Sequence, residues 1–303
     1  MRTVLGAGAF GNIVKRVQSQ LSGSGYDTHG VDGQYGGNTT RALAAFQAAQ
    51  GLASTGTLDD DTWTPLMNAP LPTVSERALE LTASIEGHGY TLAQGNFDGA
   101  LLTWGIVGFT MKSGEVQKII LEVNDRSPQT VIDAYQDQAP TVLSIMRDTA
   151  ANQLAWAQQH TLPNGGLDQP LKSMFAAFGS DPIVQAVQLA HVRADYTLPA
   201  IATAKQYGLT SELGLALCFD CHVQNGGIHA AAEIEAKSYP GITEADLLKI
   251  VAAAVASAAN PRWQADVLAR KSMIATGTGT VHGFAYNLIN WGLDLNYPAP
   301  ELA

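Results

Sequence analysis

The 303-residue sequence predicts a mainly α-helical protein, with a small three-helix N-terminal module ahead of a large helical domain that carries one short β-hairpin. Three observations predict it. Apolar residues recur at helical spacing through most of the chain. The prolines of Pro70-Leu71-Pro72 interrupt that pattern. A polar turn, Gln94-Gly95-Asn96-Phe97-Asp98-Gly99, leads into a run of β-branched, aromatic and small residues from Leu101 to Thr110.

Composition narrows the function classes. With 46% hydrophobic and 15% charged residues the chain folds around a core, which excludes disordered and collagen-like readings. Its net charge of −10 repels the phosphates of nucleic acids and anionic membrane surfaces, so no nucleic-acid partner is expected. The longest apolar runs, such as Ile250 to Ala259, fall short of the ~20 residues that a spanning helix needs, and no membrane insertion is expected. The start Met1-Arg2-Thr3-Val4-Leu5-Gly6 lacks a basic region followed by an apolar stretch, so no export signal is expected either. Cys218 and Cys221 are the only cysteines, too few for a disulfide framework.

The first helix places Val14, Val17, Gln18 and Leu21 on one face, and a turn-rich stretch ending Gly30-Val31-Asp32-Gly33 follows. A second helix runs from Thr39 through Leu43, Phe46 and Gln47 to a stop at Gly51. A third begins around Leu58-Asp59-Asp60-Asp61, where acidic side chains satisfy free N–H groups and the positive end of the helix. Gly6-Ala7-Gly8-Ala9-Phe10-Gly11 fits the G-x-G-x-x-G dinucleotide fingerprint. However, Gly- and Asp-rich turn stands where a second strand ending in an acidic residue is required, and the nucleotide reading is set aside. The order VKRVQSQL, VDGQYGGNTTRALAAFQAAQGL, TGTLDDDTWTPL, over about residues 5–67, resembles the peptidoglycan-binding module of cell-wall hydrolases. The expected division is a module at 1–68, a linker at 69–74 and a second domain at 75–303.

Thr73 and Glu76 form a capping box that opens the next helix, Ser75 to about Ile85, whose positions Ala78, Leu79, Thr82 and Ile85 follow helical spacing. Glu86 ends that helix before the breaker Gly87-His88-Gly89. There the negative end of the helix dipole and apolar neighbours both favour the protonated form. Asp98 sits in a polar turn whose N–H groups and water keep a carboxylate ionised. A solvated helix-end Glu and an ordinary Asp-Gly turn are the plainer readings of the same two residues. Together, a protonated Glu and an ionised Asp 12 residues apart form the pairing that glycoside hydrolysis uses.

The segment SIEGHGYTLAQGNFDGALLTWGIVGFT resembles the active-site segment of the chitosanase family of glycoside hydrolases, within the lysozyme-like superfamily. The resemblance implies an α+β lysozyme-like fold, with Glu86 as general acid and Asp98 as general base. It also implies Thr103 as the hydroxyl that positions water, and Glu115 as a substrate-binding carboxylate. Ala100, Leu101 and Leu102 stand where basic or polar residues are common in that family. An apolar cleft wall of this kind suits the neutral amides of N-acetylated sugars better than a cationic chitosan chain.

From Ser127 to Asn260 the sequence reads as helices broken at Pro140, Pro163-Asn164-Gly165-Gly166, Pro182, Gly208 and Pro240-Gly241. The stretch from Ala194 to Gly227 resembles the helix-rich half of the same family, and NPRWQADVLARK with GTGTVHGFAYNLINWGL is similar to phage endolysins of this group. These likenesses imply cleft support or sugar contacts for Asp220, Gln224, Asn225, Arg262, Arg270 and His282. For Arg262 and Arg270 plain surface solvation, and for His282 a satisfied core histidine, remain open. Cys218-Phe219-Asp220-Cys221-His222 also spells the haem-attachment motif C-x-x-C-H. It lies inside an apolar helix, away from the helix N-terminus that a redox pair needs, and His222 and His229 are poorly spaced for zinc. Buried small hydrophobes are the default, and no cofactor or metal is expected.

The combined expectation is a modular peptidoglycan hydrolase of endolysin type, an N-acetylmuramidase that acts by Glu/Asp acid–base chemistry with inversion. Chitosanase, lytic transglycosylase and a non-catalytic wall-binding or delivered effector protein are the alternatives. Bacterial peptidoglycan is the expected partner and a monomer the expected state. The expected course is synthesis in the host cytoplasm and action on the wall in the periplasm after release.

Overall fold

The computed structural model describes residues 1–87, 89–96, 99–228 and 241–303. They form two compact units, Met1–Ile85 together with Tyr196–Ala303, and Glu86–Asp195.

The first unit begins with strand β1 (Thr3–Leu5), helices α1 (Asn12–Gly23) and α2 (Gly37–Ala49), strand β2 (Leu58–Asp59) and helix α3 (Asp60–Met67). Val14, Val17, Leu21, Leu43 and Phe46 are buried here, as their spacing predicts. β1 pairs antiparallel with β2, so the glycine run after β1 opens no parallel βαβ unit. Two glutamines close the turns. Gln18 donates to Thr39 Oγ1 at 3.0 Å and accepts the Gly33 N–H at 2.8 Å. Gln47, fully buried, donates to Thr62 Oγ1 at 3.0 Å and accepts the Gly56 N–H at 2.9 Å. Asp59 caps α3 by accepting from Thr62 N at 2.9 Å. Thr73 and Glu76 form the expected capping box, with Thr73 N–H on Glu76 Oε2 at 2.7 Å and Glu76 N–H on Thr73 Oγ1 at 3.2 Å. Helix α4 (Val74–Glu86) follows.

The second unit starts at Glu86 and holds a three-stranded antiparallel sheet, β3 (Ala93–Gln94), β4 (Thr103–Trp104) and β5 (Phe109–Thr110), in that order. Helices α5 (Glu115–Arg126), α6 (Pro128–Tyr135), α7 (Ala139–Met146), α8 (Ala150–Gln159), α9 (Gln169–Ser180) and α10 (Pro182–Val192) complete it. Pro140 and Pro182 each stand in the first turn of a helix, where a missing N–H does no harm. The core gathers aromatic rings, Trp104 stacked on Phe178 at 5.5 Å and Tyr135 on the edge of Phe175 at 5.6 Å. The hairpin that the sequence predicts over Leu101 to Thr110 is formed by two short strands: Gly105 (φ +90) and Gly108 (φ +71) turn the chain, and Thr103 and Trp104 pair with Thr110 and Phe109.

The chain then returns to the first unit through α11 (Leu198–Gln206), α12 (Glu212–Asn225), α13 (Glu244–Ala258), α14 (Gln264–Thr276) and the hairpin β6 (Thr278–Val281)–β7 (Phe284–Asn287). Cys218 and Cys221 are fully buried in α12, and burial raises both thiols, Cys221 to about 11. The N-terminal elements pack directly on this half. Gly6 N–H donates to Asn290 O at 2.8 Å, and Phe10 meets Phe284, Tyr286 and Trp291 at 5.2, 5.3 and 5.5 Å between centroids. Among the described residues, no helix is long and apolar enough to cross a membrane.

Candidate active site

Glu86 is the last residue of α4, half-buried, and Gly87 (φ +67) ends the helix in the left-handed conformation that favours glycine. Asp98 lies outside the described residues, as do His88 and His229. The described chain on either side of Asp98 is held by hydrogen bonds. Before it, Gly95 N–H donates to Gly165 O at 3.1 Å and Asn96 N–H to Thr161 Oγ1 at 2.8 Å. After it, Leu101 N–H donates to Asn96 Oδ1 at 3.1 Å, and Ala100 and Leu102 carbonyls accept from Lys112 and Met111 at 3.1 and 2.8 Å.

Thr103 opens β4, with 8% exposure, and pairs across to Gln94 and Thr110. Glu115 is the first residue of α5. It accepts the Thr110 N–H at 3.1 Å and the Ser113 hydroxyl at 2.5 Å, which ties β5 to the helix that follows. Of the expected apolar wall, Leu102 is a correction: with 0% exposure it points into the core, while Leu101 before it, at φ +69, takes the backbone out of the extended conformation. Leu101 instead lines a cavity of about 500 Å³ with Asn96, Gly99, Met111, Gln117 and Leu154. Glu86, Thr103 and Glu115 thus belong to the second unit, and Asn96 and Gly99, which line the cavity, flank Asp98 in the sequence.

The other sequence-derived candidates belong to the first unit. Asp220 and Arg270 form a buried pair, Arg270 Nη2 reaching Asp220 Oδ1 at 2.7 Å and Nε reaching Oδ2 at 2.9 Å. Burial works to raise the Asp220 carboxyl, but the charges of Arg270 and Lys271 outweigh it and hold it well below the usual carboxylate range. Direct sugar contact requires exposed surface, and exposures of 0% and 1% exclude it for Asp220 and Arg270. Surface solvation, left open for Arg270, is excluded by the same number, whereas Arg262 is exposed and stacks on Trp263 at 4.7 Å. Gln224 and Asn225 end α12, half-buried, and among the described residues Gln224 Oε1 and Asn225 Oδ1 have no hydrogen-bond partner. His282, exposed at the tip of the β6–β7 hairpin, shares hydrogen bonds with Asp266 Oδ1 at 2.8 Å and with the Ile85 carbonyl at 3.3 Å, so it is not a core histidine.

Sequence reasoning missed three groups. Lys271, fully buried, donates to the Asp220 carboxylate and carbonyl, and Thr82 donates to Asp220 Oδ1 at 2.9 Å. Gln188 on α10, also fully buried, accepts the Ile106 N–H at 3.0 Å and donates to Tyr90 O at 3.2 Å, clamping the sheet region from behind. The one sequence signal was an amide or a charge amid an apolar helical face. Among the described residues, no group of three His, Cys, Asp or Glu side chains is arranged to hold a metal.

A family model described as glycosyl hydrolase family 46 matches residues 83–273, more than half of the chain, and a model of a peptidoglycan binding domain matches residues 10–66. Among solved structures, a family 46 chitosanase of Gynuella sunshinyii in complex with chitotetraose is 18% identical. It has a TM-score of 0.50 over 72% of this chain and 98% of that one. A chitosanase complex structure is 22% identical with a TM-score of 0.48, over 70% of this chain and 94% of that one. The chitosanase OU01 with substrate is 21% identical with a TM-score of 0.47, over 70% and 94%. The first of these likenesses shows the fold alone. Among curated proteins, none matches the sequence.

Proposed function

Because the chain belongs to glycosyl hydrolase family 46, and is therefore a glycosidase, we propose that its substrate is the glycan strand of bacterial peptidoglycan. The observation that carries this reading is the match of residues 10–66 to a peptidoglycan binding domain in the same chain as the hydrolase match at 83–273. A wall-binding surface holds the enzyme at high local substrate concentration, so weak affinity at the cleavage site suffices.

In the proposed mechanism Glu86 protonates the glycosidic oxygen and Asp98 draws the proton from a water held by Thr103. If the two carboxyl groups stand ~6.5–9.5 Å apart, water fits between base and sugar and the anomeric configuration inverts. Glu86 closes α4 and Asp98 follows it 12 residues later in the sequence, the two carboxyl groups of the proposed acid–base pairing. N-acetylmuramidase action is the expected bond specificity. Synthesis in a phage-infected cytoplasm and release to the periplasm, as for an endolysin, is part of the same proposal.

A second reading, cleavage of chitosan, is favoured by the family match itself and by a net charge of −10 that attracts a polycation. One experiment separates them. Purified sacculi and soluble chitosan are each incubated with wild type and Glu86→Gln, and released fragments are identified by mass spectrometry. Muropeptides with new reducing ends from wild type alone support the proposal. Anhydro-ended products turn it to a transglycosylase, and chitosan fragments without muropeptides overturn it.

A further inference from the structure

The end of α4 that carries Glu86 is held from outside the helix at three nearby residues. Thr82 donates to Asp220 Oδ1 at 2.9 Å, and the Tyr286 hydroxyl of β7 interacts with the Ser84 side chain. The Ile85 carbonyl, 3.3 Å from His282 Nδ1, is the third. The last four carbonyls of an α-helix have no partner within it, and His282 supplies one from the tip of the β6–β7 hairpin. All of these contacts fall within the first unit.

The turn itself does not call for histidine. Val281 pairs with Phe284, so His282 and Gly283 are the whole loop, and both have positive φ, +51 and +83. Asn-Gly, Asp-Gly and Gly-Gly are the favoured pairs in such a two-residue hairpin turn, and histidine is uncommon at positive φ.

The ring meets two acceptors at once. Besides the Ile85 carbonyl at Nδ1, Nε2 lies 2.8 Å from Asp266 Oδ1, in the first turn of α14. A carbonyl and an ionised carboxylate only accept, so both ring nitrogens donate, and the ring that makes both bonds is the imidazolium. Its charge also suits the negative end of α4. Nearly half of the side chain is exposed, so contact with a sugar is the competing role.

The bond to Ile85 bears on the next residue. The Ile85 carbonyl and the Glu86 Cα belong to one planar peptide unit, so fixing the oxygen limits how Glu86 leaves the helix. A displacement of about 1 Å in a reacting group can cost about 10²-fold in rate.

We propose that His282, oriented by Asp266, is a positioning residue for Glu86 that acts through the Ile85 carbonyl and not by touching the sugar. The inference rests on Glu86 as the general acid.

The test uses the full chain and two soluble probes, a peptidoglycan tetrasaccharide and a glucosamine hexamer, with kcat and KM taken on whichever wild type cleaves. His282→Gly removes the ring and His282→Asn restores a donor where Nδ1 stood, and both leave a favoured turn pair. Melting temperatures of both should stay within a few degrees of wild type. His282→Gly should lower kcat by about tenfold to a hundredfold with KM little changed, and His282→Asn should recover part of that loss. A raised KM at unchanged kcat makes His282 a sugar contact and overturns the proposal, as does equal kcat in the two variants. Asp266→Ala frees the ring without altering the hairpin, so it should lower kcat less and add nothing to His282→Gly. Losses that multiply in the double variant overturn the pairing. Glu86→Gln is assayed alongside. If it matches wild type, or if wild type cleaves neither probe, the reading of Glu86 fails and takes this inference with it. An inactive Glu86→Gln beside a fully active His282→Gly sinks this inference alone.

Discussion

At the scale of single residues, two carboxylates carry the proposed chemistry and a third carries structure. Replacing Glu86 with Gln or Asp98 with Asn removes a proton donor or acceptor with little change in shape. Each should lower kcat by about 10²–10⁴ with KM little changed, measured on a soluble oligomer. Asp220 answers differently. Its carboxylate compensates Arg270 and Lys271, at 1% and 0% exposure, so Asp220→Asn leaves two buried cations short of their anion. Urea denaturation should show a loss of about 3–5 kcal/mol. Replacing Asp220, Arg270 and Lys271 together with apolar residues of similar volume should restore most of it. The sequence marks Asp220 and Arg270, but their meeting depends on α12 and α14 packing together over 50 residues of chain, which no local pattern records.

Elements were legible where their signals are local. The capping box at Thr73 and Glu76, the Asp59 cap and the glycine stop after Glu86 each need only a few neighbouring residues, and each stands where the sequence places it. The sheet region was less legible. Leu101 to Thr110 has strand composition, but two glycines at positive φ fold it into a pair of two-residue strands held from behind by Gln188. A Cβ on Gly105 would lie 2.6 Å from Gln188 Oε1, so the glycine and the amide fit each other. Gln188→Leu keeps the volume while removing the acceptor for Ile106 N–H and the donor to Tyr90 O. A loss of roughly 2–6 kcal/mol is expected, from two groups at about 1–3 kcal/mol each. Hydrogen exchange should quicken at amides 103–110 while α13 and α14 keep their protection.

For the whole molecule, pH acts through a buried acid that the sequence does not reveal. Glu80, on α4 and 8% exposed, is raised from 4.5 to about 7 by burial, which the Arg16 charge and the Ile13 N–H of α1 only partly offset, with Glu76 adding to the rise. The folded state therefore holds this proton more tightly than the unfolded chain. Stability is fully present below pH 4.5 and is lost as pH rises through about 7, by up to roughly 3 kcal/mol. Thermal melts across that window should fall for wild type relative to Glu80→Gln, the gap closing at acid pH; parallel profiles would refute the assignment. Neither composition nor spacing indicated this, because Glu80 reads as a polar position on an exposed helix face until α1 packs over it.

The ring cluster of Phe10, Phe284, Tyr286 and Trp291 bears on how such proteins can be recombined. A gene fusion that cuts at the prolines and grafts the first 70 or so residues onto a foreign enzyme would carry away one side of that cluster and strip the other bare. Each fragment would then present greasy surface to water, where it invites precipitation. Transplants that take the hairpin at 278–287 along with the N-terminal piece are the ones to build first.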